Sequence, residues 1–468
     1  MSLLLEYLHA FGRFQRNARL YLLSNALSGV TTGIILVLYN LYLASLGYGP
    51  DFIGLLLFVA TLGAGSAIFP AGFCVDRFGG KAMLIWASLL IGVAGAGQFL
   101  LRQPLPMLVS VFLVGVGGAF VLVVNAPFLT ANSTPVERPL LFSLNIVVTL
   151  ATTVLGEILG GILPLWLRAQ PALMEPLPHS LNWLLVSQPV GRSYQLALLI
   201  SGLIALPSFI PLFLLSDDRP ARTPPPAQED ARPGQVNEPL LKRARIVFGE
   251  WRRRMAQIRI NALRELLFRP LSVLVAVQII IGLGAGLFIP YFNLYFVQRL
   301  GASSALFGLI DGGANAINAL LTLLAPLLVL RIGRVSAIVL TRLISVPLLL
   351  IIGLSGWLPL VAPLYLFRQG AMDMTDGILQ MFSMEAVSAR HRGLASSSYQ
   401  AARQVAWALT VPLGGLVIAR VGFPPVFMAG ALLYLLAIGL FWWRFGPASA
   451  SPAARKESGQ GAIDSTHP

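Results

Sequence analysis

Residues 71–81 read Ala-Gly-Phe-Cys-Val-Asp-Arg-Phe-Gly-Gly-Lys, and residues 325–335 read Ala-Pro-Leu-Leu-Val-Leu-Arg-Ile-Gly-Arg-Val. An offset of 254 positions aligns the first alanine, the valine, the arginine and the glycine of the two stretches. The same offset aligns the glycine pair 160–161 with the pair 414–415. An offset that holds over this distance predicts a chain built from two similar halves with parallel topology.

The composition around this repeat is that of a membrane protein. Of the 468 residues, 56% are hydrophobic and 11% are charged, against about 45–50% and about 25% in soluble domains. Twelve apolar segments are long enough to cross a hydrocarbon core of about 30 Å as helices. These segments, spans 1 to 12, cover residues 20–45, 51–74, 82–101, 105–131, 140–167, 193–215, 270–297, 304–329, 335–356, 359–386, 394–419 and 424–443. The sequence therefore predicts an all-α polytopic membrane protein with twelve transmembrane helices.

The predicted organisation has four parts. They are an N-terminal group of six helices at 1–216, a cytoplasmic linker at 217–269, a C-terminal group of six helices at 270–444 and a disordered cytoplasmic tail at 445–468. Within the linker, residues 241–268 place apolar side chains at helical spacing, with arginines around the rest of the helix. This pattern predicts a basic amphipathic helix on anionic lipid headgroups.

The net charge of +14 indicates the orientation in the membrane. With a cytoplasmic N-terminus, 25 of the 33 Lys and Arg residues fall on cytoplasmic segments and 5 on outer loops, as the positive-inside rule expects. We therefore expect both termini in the cytoplasm and no nucleic-acid partner. The 30 Arg against 3 Lys indicate a GC-rich coding bias. This bias favours a bacterial inner membrane as the location of this multi-pass protein. We also expect the protein to be a monomer.

The residue types needed for catalysis or metal binding are missing at membrane depth. Cys74 is the single cysteine, so no thiolate cluster can form. The four histidines fall in termini or predicted loops; they are His9, His179, His391 and His467. No phosphate-binding Gly-rich loop followed by Lys and Ser or Thr occurs, which argues against direct ATP drive. The sequence predicts no enzyme, no cofactor and no metal site.

The stretch 72–81 resembles the signature loop of the major facilitator superfamily. That loop has a glycine, an Asp-Arg pair four residues later, and then glycine and basic residues. The matching residues are Gly72, Asp76, Arg77, Gly79 and Lys81. With the repeat, the resemblance covers about residues 17–444. It implies two six-helix bundles related by a pseudo-twofold repeat, a central cavity, transport by alternating access, and a cytoplasmic latch at this loop.

Span 5 departs from the pattern of drug–proton antiporters in this superfamily. Their span 5 often reads Gly-Pro followed by two glycines, whereas residues 156–161 here read Gly-Glu-Ile-Leu-Gly-Gly. Glu157 stands in place of the proline, which argues against that antiporter class. Symport or antiport, and uptake or efflux, stay open.

Seven ionisable residues fall well inside the predicted spans, away from the span ends, where each costs about 2.5–3.5 kcal/mol at a helix centre unless it finds a partner or water. They are Glu157, Asp311, Arg342, Arg368, Asp373, Asp376 and Arg403. Depth predicts that Asp376 on span 10 is level with Arg403 on span 11, so that the two can pair. We expect a purely structural role for Arg342 on span 9.

Glu157 and Asp311 lie in the outer halves of spans 5 and 8, which the resemblance assigns to opposite bundles. Two carboxyl groups that approach and separate as the bundles rock could bind and release a proton. The residues expected to bind substrate or couple protons in the central cavity are Glu157, Asp311, Asn315, Arg368, Asp373, Asp376 and Arg403. The alternative is a purely structural role, in which these residues form hydrogen bonds and neutral ion pairs within the bundles. Four residues near the outer ends of spans 1 and 7 either act as aromatic-belt and helix-cap residues or form part of an outer gate; they are Asn40, Tyr42, Asn293 and Tyr295.

The sequence as a whole predicts a secondary transporter that moves a small solute by alternating access with proton coupling. One alternative is an uncoupled facilitator or an exchanger of an anionic organic solute, in which Arg368 and Arg403 bind a carboxylate or phosphate group. A receptor with the same fold and no transport activity is another.

Overall fold

The computed structural model describes residues 14–135, 137–176, 178–216, 270–385 and 392–446. The predicted linker at 217–269 with its amphipathic helix, and the predicted tail beyond residue 446, lie outside the described residues. The side chain of Asp76 lies outside them as well.

The described chain is helical almost throughout. Spans 1 to 5 are Arg16–Ser45, Pro50–Phe78, Gly80–Leu100, Pro104–Ala131 and Arg138–Arg168. Span 6 is Pro189–Ala205, continued by Leu206–Ser208 and Phe209–Phe213, and span 7 is Pro270–Phe288, continued by short helical turns to Arg299. Spans 8, 9, 11 and 12 are Ser304–Ile332, Arg334–Leu354, Arg392–Val421 and Pro424–Phe445. In the described part of the chain, these eleven helices are long and apolar enough to cross a membrane.

Span 10 is divided into two helices instead of forming the single helix expected at 359–386. Span 10a is Leu358–Asp373 and span 10b is Asp376–Glu385, with a turn at Met374 and Thr375 between them. Asp, Thr and Gly are weak helix formers, and the sequence Asp-Met-Thr-Asp-Gly concentrates them at this point. The hydroxyl of Thr375 contacts that of Thr341 on span 9 at 3.3 Å, which ties the turn to its neighbour.

The repeat found in the sequence reappears in the backbone. Spans 2 and 8 both have 29 residues and spans 3 and 9 both have 21, and their ends match at the sequence offset. Gly79 has φ 83° and ψ 159°, and Gly333 has φ 83° and ψ 160°. Because positive φ strains residues with a Cβ, both turns require glycine. The predicted two-half architecture is confirmed.

The same helix pairs pack within each half. Span 1 packs on span 5 and span 2 on span 4, as span 7 packs on span 11 and span 8 on span 10. Between the halves, span 5 packs on span 8 and span 2 on span 11. A Cβ on Gly161 would lie 2.7 Å from the backbone oxygen of Ser304, and one on Gly415 would lie 2.2 Å from that of Pro50. Glycines therefore bring the bundles together near their predicted outer ends.

Candidate functional site

A cavity of about 340 Å³ lies between the two bundles, and we call it the carboxyl cavity. Side chains from spans 1, 2, 5, 7, 8, 10a and 11 form its wall. The acidic residues of this wall are Glu157 and Asp311, and Asn315 lies one helical turn after Asp311. The structure thus brings together three of the residues predicted for the central cavity.

Glu157 is held by an amide from the opposite bundle. Its side chain is 1% exposed, and Asn315 Nδ2 donates to Oε1 at 2.9 Å and to Oε2 at 3.1 Å. Spans 5 and 8 meet closely here, because a Cβ on Gly308 would lie 2.4 Å from the Glu157 carbonyl oxygen. Among the residues that the structure describes, no Lys or Arg forms an ion pair with Glu157. The carboxyl group therefore bridges the bundles without a cationic partner.

Asp311 is also held by a neutral group. The Tyr365 hydroxyl on span 10a donates to Asp311 Oδ1 at 2.7 Å, and Tyr365 itself is buried. Within the described ranges, Asp311 has no ion pair either. Tyr365 was not singled out in the sequence. Its signal there was weak, because a tyrosine within a span is as easily explained by packing.

A second cavity, of about 220 Å³, lies inside the C-terminal bundle between spans 7, 10, 11 and 12. Asp373, Asp376 and Arg403 line it, so we call it the charged cavity. Ile289 and Trp407 line both cavities, which makes the two cavities neighbours separated by these side chains.

Asp376 is paired with two arginines. Arg342 Nη2 lies 2.6 Å from Oδ1, and Arg403 Nη1 lies 3.3 Å from Oδ2. The predicted pairing of Asp376 with Arg403 is confirmed, and the pairing of Arg342 with Asp376 gives that arginine the structural partner expected for it. Asp373 instead accepts a hydrogen bond of 2.7 Å from Gln369 Nε2.

Arg368 was expected to line the central cavity, but it lines neither of these two cavities. It is 1% exposed, and its guanidinium carbon lies 5.2 Å, 6.0 Å and 5.8 Å from the ring centres of Phe288, Phe292 and Tyr434. Such cation–π contacts are worth about 2 kcal/mol when desolvated. The sequence could not reveal this, because the three rings come from spans 7 and 12.

The signature-loop residues form the turn between spans 2 and 3. Gly79 supplies the positive φ, and Gly72 lies in span 2 with open space beside its Cα. Arg77 is exposed and packs over the ring of Phe78, while Lys81 Nζ donates to the carbonyl of Leu215 after span 6. The cytoplasmic latch through Asp76 stays a prediction.

Two asparagines join spans 1 and 7 at the predicted outer face, and we call them the asparagine clasp. Asn40 Nδ2 donates to the Pro290 carbonyl at 2.7 Å and to Asn293 Oδ1 at 3.1 Å. Asn293 Nδ2 donates to the carbonyls of Leu36 and Val37, both at 3.3 Å. These cross-bundle bonds fit the gate alternative better than helix capping.

In the described ranges, no group of three His, Cys, Asp or Glu side chains is arranged to hold a metal ion. What the site offers is two adjoining polar cavities with carboxyl groups at a bundle interface. Two repeated helical halves around polar cavities are the architecture of membrane carriers.

Comparisons with known proteins identify the family. The family model described as Major Facilitator Superfamily matches residues 21–409, with a second match at 274–465. The chain belongs to the major facilitator superfamily, whose members are transporters rather than enzymes. No curated protein matches the sequence.

Solved structures share the fold at low sequence identity. A bacterial homologue of the human lysosomal transporter Spinster, inward-facing and unoccupied, is 14% identical with a TM-score of 0.65, covering 93% of this chain and 98% of its own. A bacterial homologue of the iron transporter ferroportin, also inward-facing, is 14% identical with a TM-score of 0.66, covering 91% and 98%. A D-xylose-proton symporter is 16% identical with a TM-score of 0.63, covering 93% and 98%.

Proposed function

We propose that this chain is a secondary active transporter of a small solute that couples transport to protons at Glu157 and Asp311. The observation that carries the proposal is the buried Glu157 carboxyl group, whose side-chain partner among the described residues is the Asn315 amide of the opposite bundle. A carboxylate in a low-dielectric setting needs a cation, water or a proton. Because its amide partner sits on the opposite bundle, any relative movement of the bundles changes the surroundings of the carboxyl group.

A conformation that is closed at the outer face and open to the cytoplasm accounts for the contacts between the bundles. The asparagine clasp, the bond from Ser304 Oγ to the Gly161 carbonyl at 3.1 Å and the bond from Asn315 to Glu157 all lie in the predicted outer half. Two of the structural relatives named above are themselves inward-facing. Alternating access then consists of separating these outer contacts while the cytoplasmic ends close.

The test uses proteoliposomes that contain a trapped pH dye and an imposed pH gradient. Solutes that raise the melting temperature of the purified protein are added outside, and both solute uptake and proton flux are followed. We expect Glu157→Gln to abolish solute-dependent proton flux, and Asp311→Asn to reduce it. Glu175→Gln, in an exposed loop between spans 5 and 6, serves as the control and keeps full flux. If both cavity variants keep the proton flux of the original protein, the coupling proposal is wrong.

A further inference from the structure

We propose that the charged cavity binds the substrate, and that the substrate is a small zwitterion with one ammonium and one carboxylate or similar anionic group. This inference rests on the proposed transport function and specifies its solute. In the proposed complex, Asp373 binds the ammonium group and Arg403 the anionic group.

Asp373 and Arg403 face the same cavity without neutralising each other. Both line the charged cavity, and among the described residues no ion pair joins them. Asp373 is bonded only to the neutral amide of Gln369, so one of its oxygens has no partner in the described structure. In the described part of the chain, Arg403 forms one ion pair, from Nη1 to Asp376 at 3.3 Å, and its side chain stays 37% exposed where it lines the cavity. One carboxylate and one guanidinium are thus available to a ligand.

The charge balance of the cavity selects a ligand with no net charge. Asp376 is shared by Arg342 and Arg403, and these three groups together with Asp373 carry no net charge. Arg368, which lines neither cavity, is held apart from them among aromatic rings. A singly charged ligand would satisfy only Asp373 or Arg403 and add an uncompensated charge to a membrane interior. A zwitterion satisfies both groups and leaves the total charge unchanged. Opposed charges also reject ligands that lack either end.

The shape of the cavity fits this class of ligand. A cavity of about 220 Å³ is below the roughly 300–1,000 Å³ of pockets that take drug-sized ligands, so it suits a compound of amino-acid size. Trp407 and Tyr434 line the wall and would contact the apolar part of the ligand. The turn that divides span 10 lies between Asp373 and Asp376, and discontinuous helices commonly form the substrate sites of transporters.

Arg342 and Asp376 act as positioning residues in this proposal. Arg342 is 3% exposed and fixes Asp376, which in turn holds one side of the Arg403 guanidinium. The ion-paired trio therefore points Arg403 into the cavity, while the carboxyl cavity beyond Trp407 keeps its separate role in proton coupling.

The first experiment measures ligand binding to the purified full-length protein in detergent, with no pH gradient. The melting temperature is followed with the twenty standard L-amino acids, β-alanine, γ-aminobutyrate and 5-aminovalerate, which vary the spacing between the two charges. Each compound that raises it is compared with the amine that lacks its acid group and the acid that lacks its amino group. We expect at least one zwitterion to stabilise the protein and both singly charged analogues to fail.

Variants then assign the two ends of the ligand. Asp373→Asn and Arg403→Gln are each expected to weaken binding by at least about tenfold, because each removes a charge-assisted contact. Glu175→Gln and Arg420→Gln change the same kinds of charge at exposed positions and should leave affinity unchanged. The proposal is overturned if no zwitterion of the panel binds, if a singly charged analogue binds equally well, or if both variants keep full affinity.

A labelling experiment keeps the proposal testable if a charge variant fails to fold. Gln404 lines the charged cavity, and Cys74 is the single cysteine, so Gln404→Cys in a Cys74→Ser background supplies one reporter thiol. A bound zwitterion should slow the reaction of this thiol with N-ethylmaleimide, and equal reaction rates with and without it would contradict the site. Because binding and proton flux are measured separately, either proposal can fail alone.

Discussion

Neutralising Asp376 should destabilise the C-terminal bundle mainly through Arg342. In Asp376→Asn, Arg342, which is 3% exposed, loses a carboxylate at 2.6 Å. Removing one partner of a buried pair costs about 3–5 kcal/mol. Since the Asp376 side chain is 39% exposed, screening by water reduces this to about 2–3 kcal/mol. The weaker contact with Arg403, which is 37% exposed, adds at most about 1 kcal/mol.

The same geometry ranks the variants of this trio. Arg342→Gln and Arg403→Gln should each cost about 1 kcal/mol or less, because Asp376 keeps one arginine in either case. The double variant Asp376→Asn with Arg342→Gln should recover at least half of the loss, since no buried charge remains unpaired.

The assay for this ranking is titration of purified protein in mixed micelles with sodium dodecyl sulphate, which gives the free energy of unfolding. Four proteins complete the double-mutant cycle: the original chain, the two single variants and the double variant. A double variant no more stable than Asp376→Asn, or an Arg403→Gln variant as unstable as Asp376→Asn, would refute the assignment of the main cost to Arg342.

Two further perturbations follow from the fold. Replacing Asn40 and Asn293 together by Ala removes the four hydrogen bonds of the asparagine clasp. At about 1 kcal/mol per lost bond, hydrogen–deuterium exchange in the predicted outer half of span 7 should rise by roughly a hundredfold or more. Unchanged exchange would show that the clasp does not hold spans 1 and 7 together. Gly79→Ala and Gly333→Ala should each lower the unfolding free energy by about 1–2 kcal/mol, because both positions have φ 83°. Gly72→Ala is the control, since it adds a Cβ in open space within a helix, and an equal loss at Gly72 would contradict the backbone argument.

The architecture was predictable from the sequence because the two halves of the chain repeat the same pattern of turn residues. The offset of 254 that aligned Gly79 with Gly333 also aligns the ends of spans 2, 3, 8 and 9, since equal spacing of turn glycines requires equal helix lengths. The break in span 10 was missed. Its counterpart in span 4 is continuous, and hydropathy averaged over a whole span does not register two residues that interrupt a helix.

The partners of the charged residues were only partly predictable. Depth along the helices correctly paired Asp376 with Arg403, but depth contains no information on which way a side chain points around its helix. Depth therefore did not identify Arg342 as the closer partner of Asp376. The aromatic surroundings of Arg368 could not be predicted from depth either. Glu157 was recognisable because it is an ionisable residue well inside a predicted span. Its amide partner Asn315 required knowledge of how spans 5 and 8 face each other.

The division of span 10 also has a mechanical consequence. A helix bends most readily where its regular hydrogen bonding is interrupted. Span 10b has 10 residues, so it is a lever of about 15 Å whose far end moves by about 5 Å for a tilt of about 20°. Its fulcrum is Asp376, which Arg342 and Arg403 grip from spans 9 and 11. We therefore expect the predicted cytoplasmic end of span 10 to move more readily than the rest of its bundle, and a solute that weakens the ion pairs of Asp376 would act directly on this pivot.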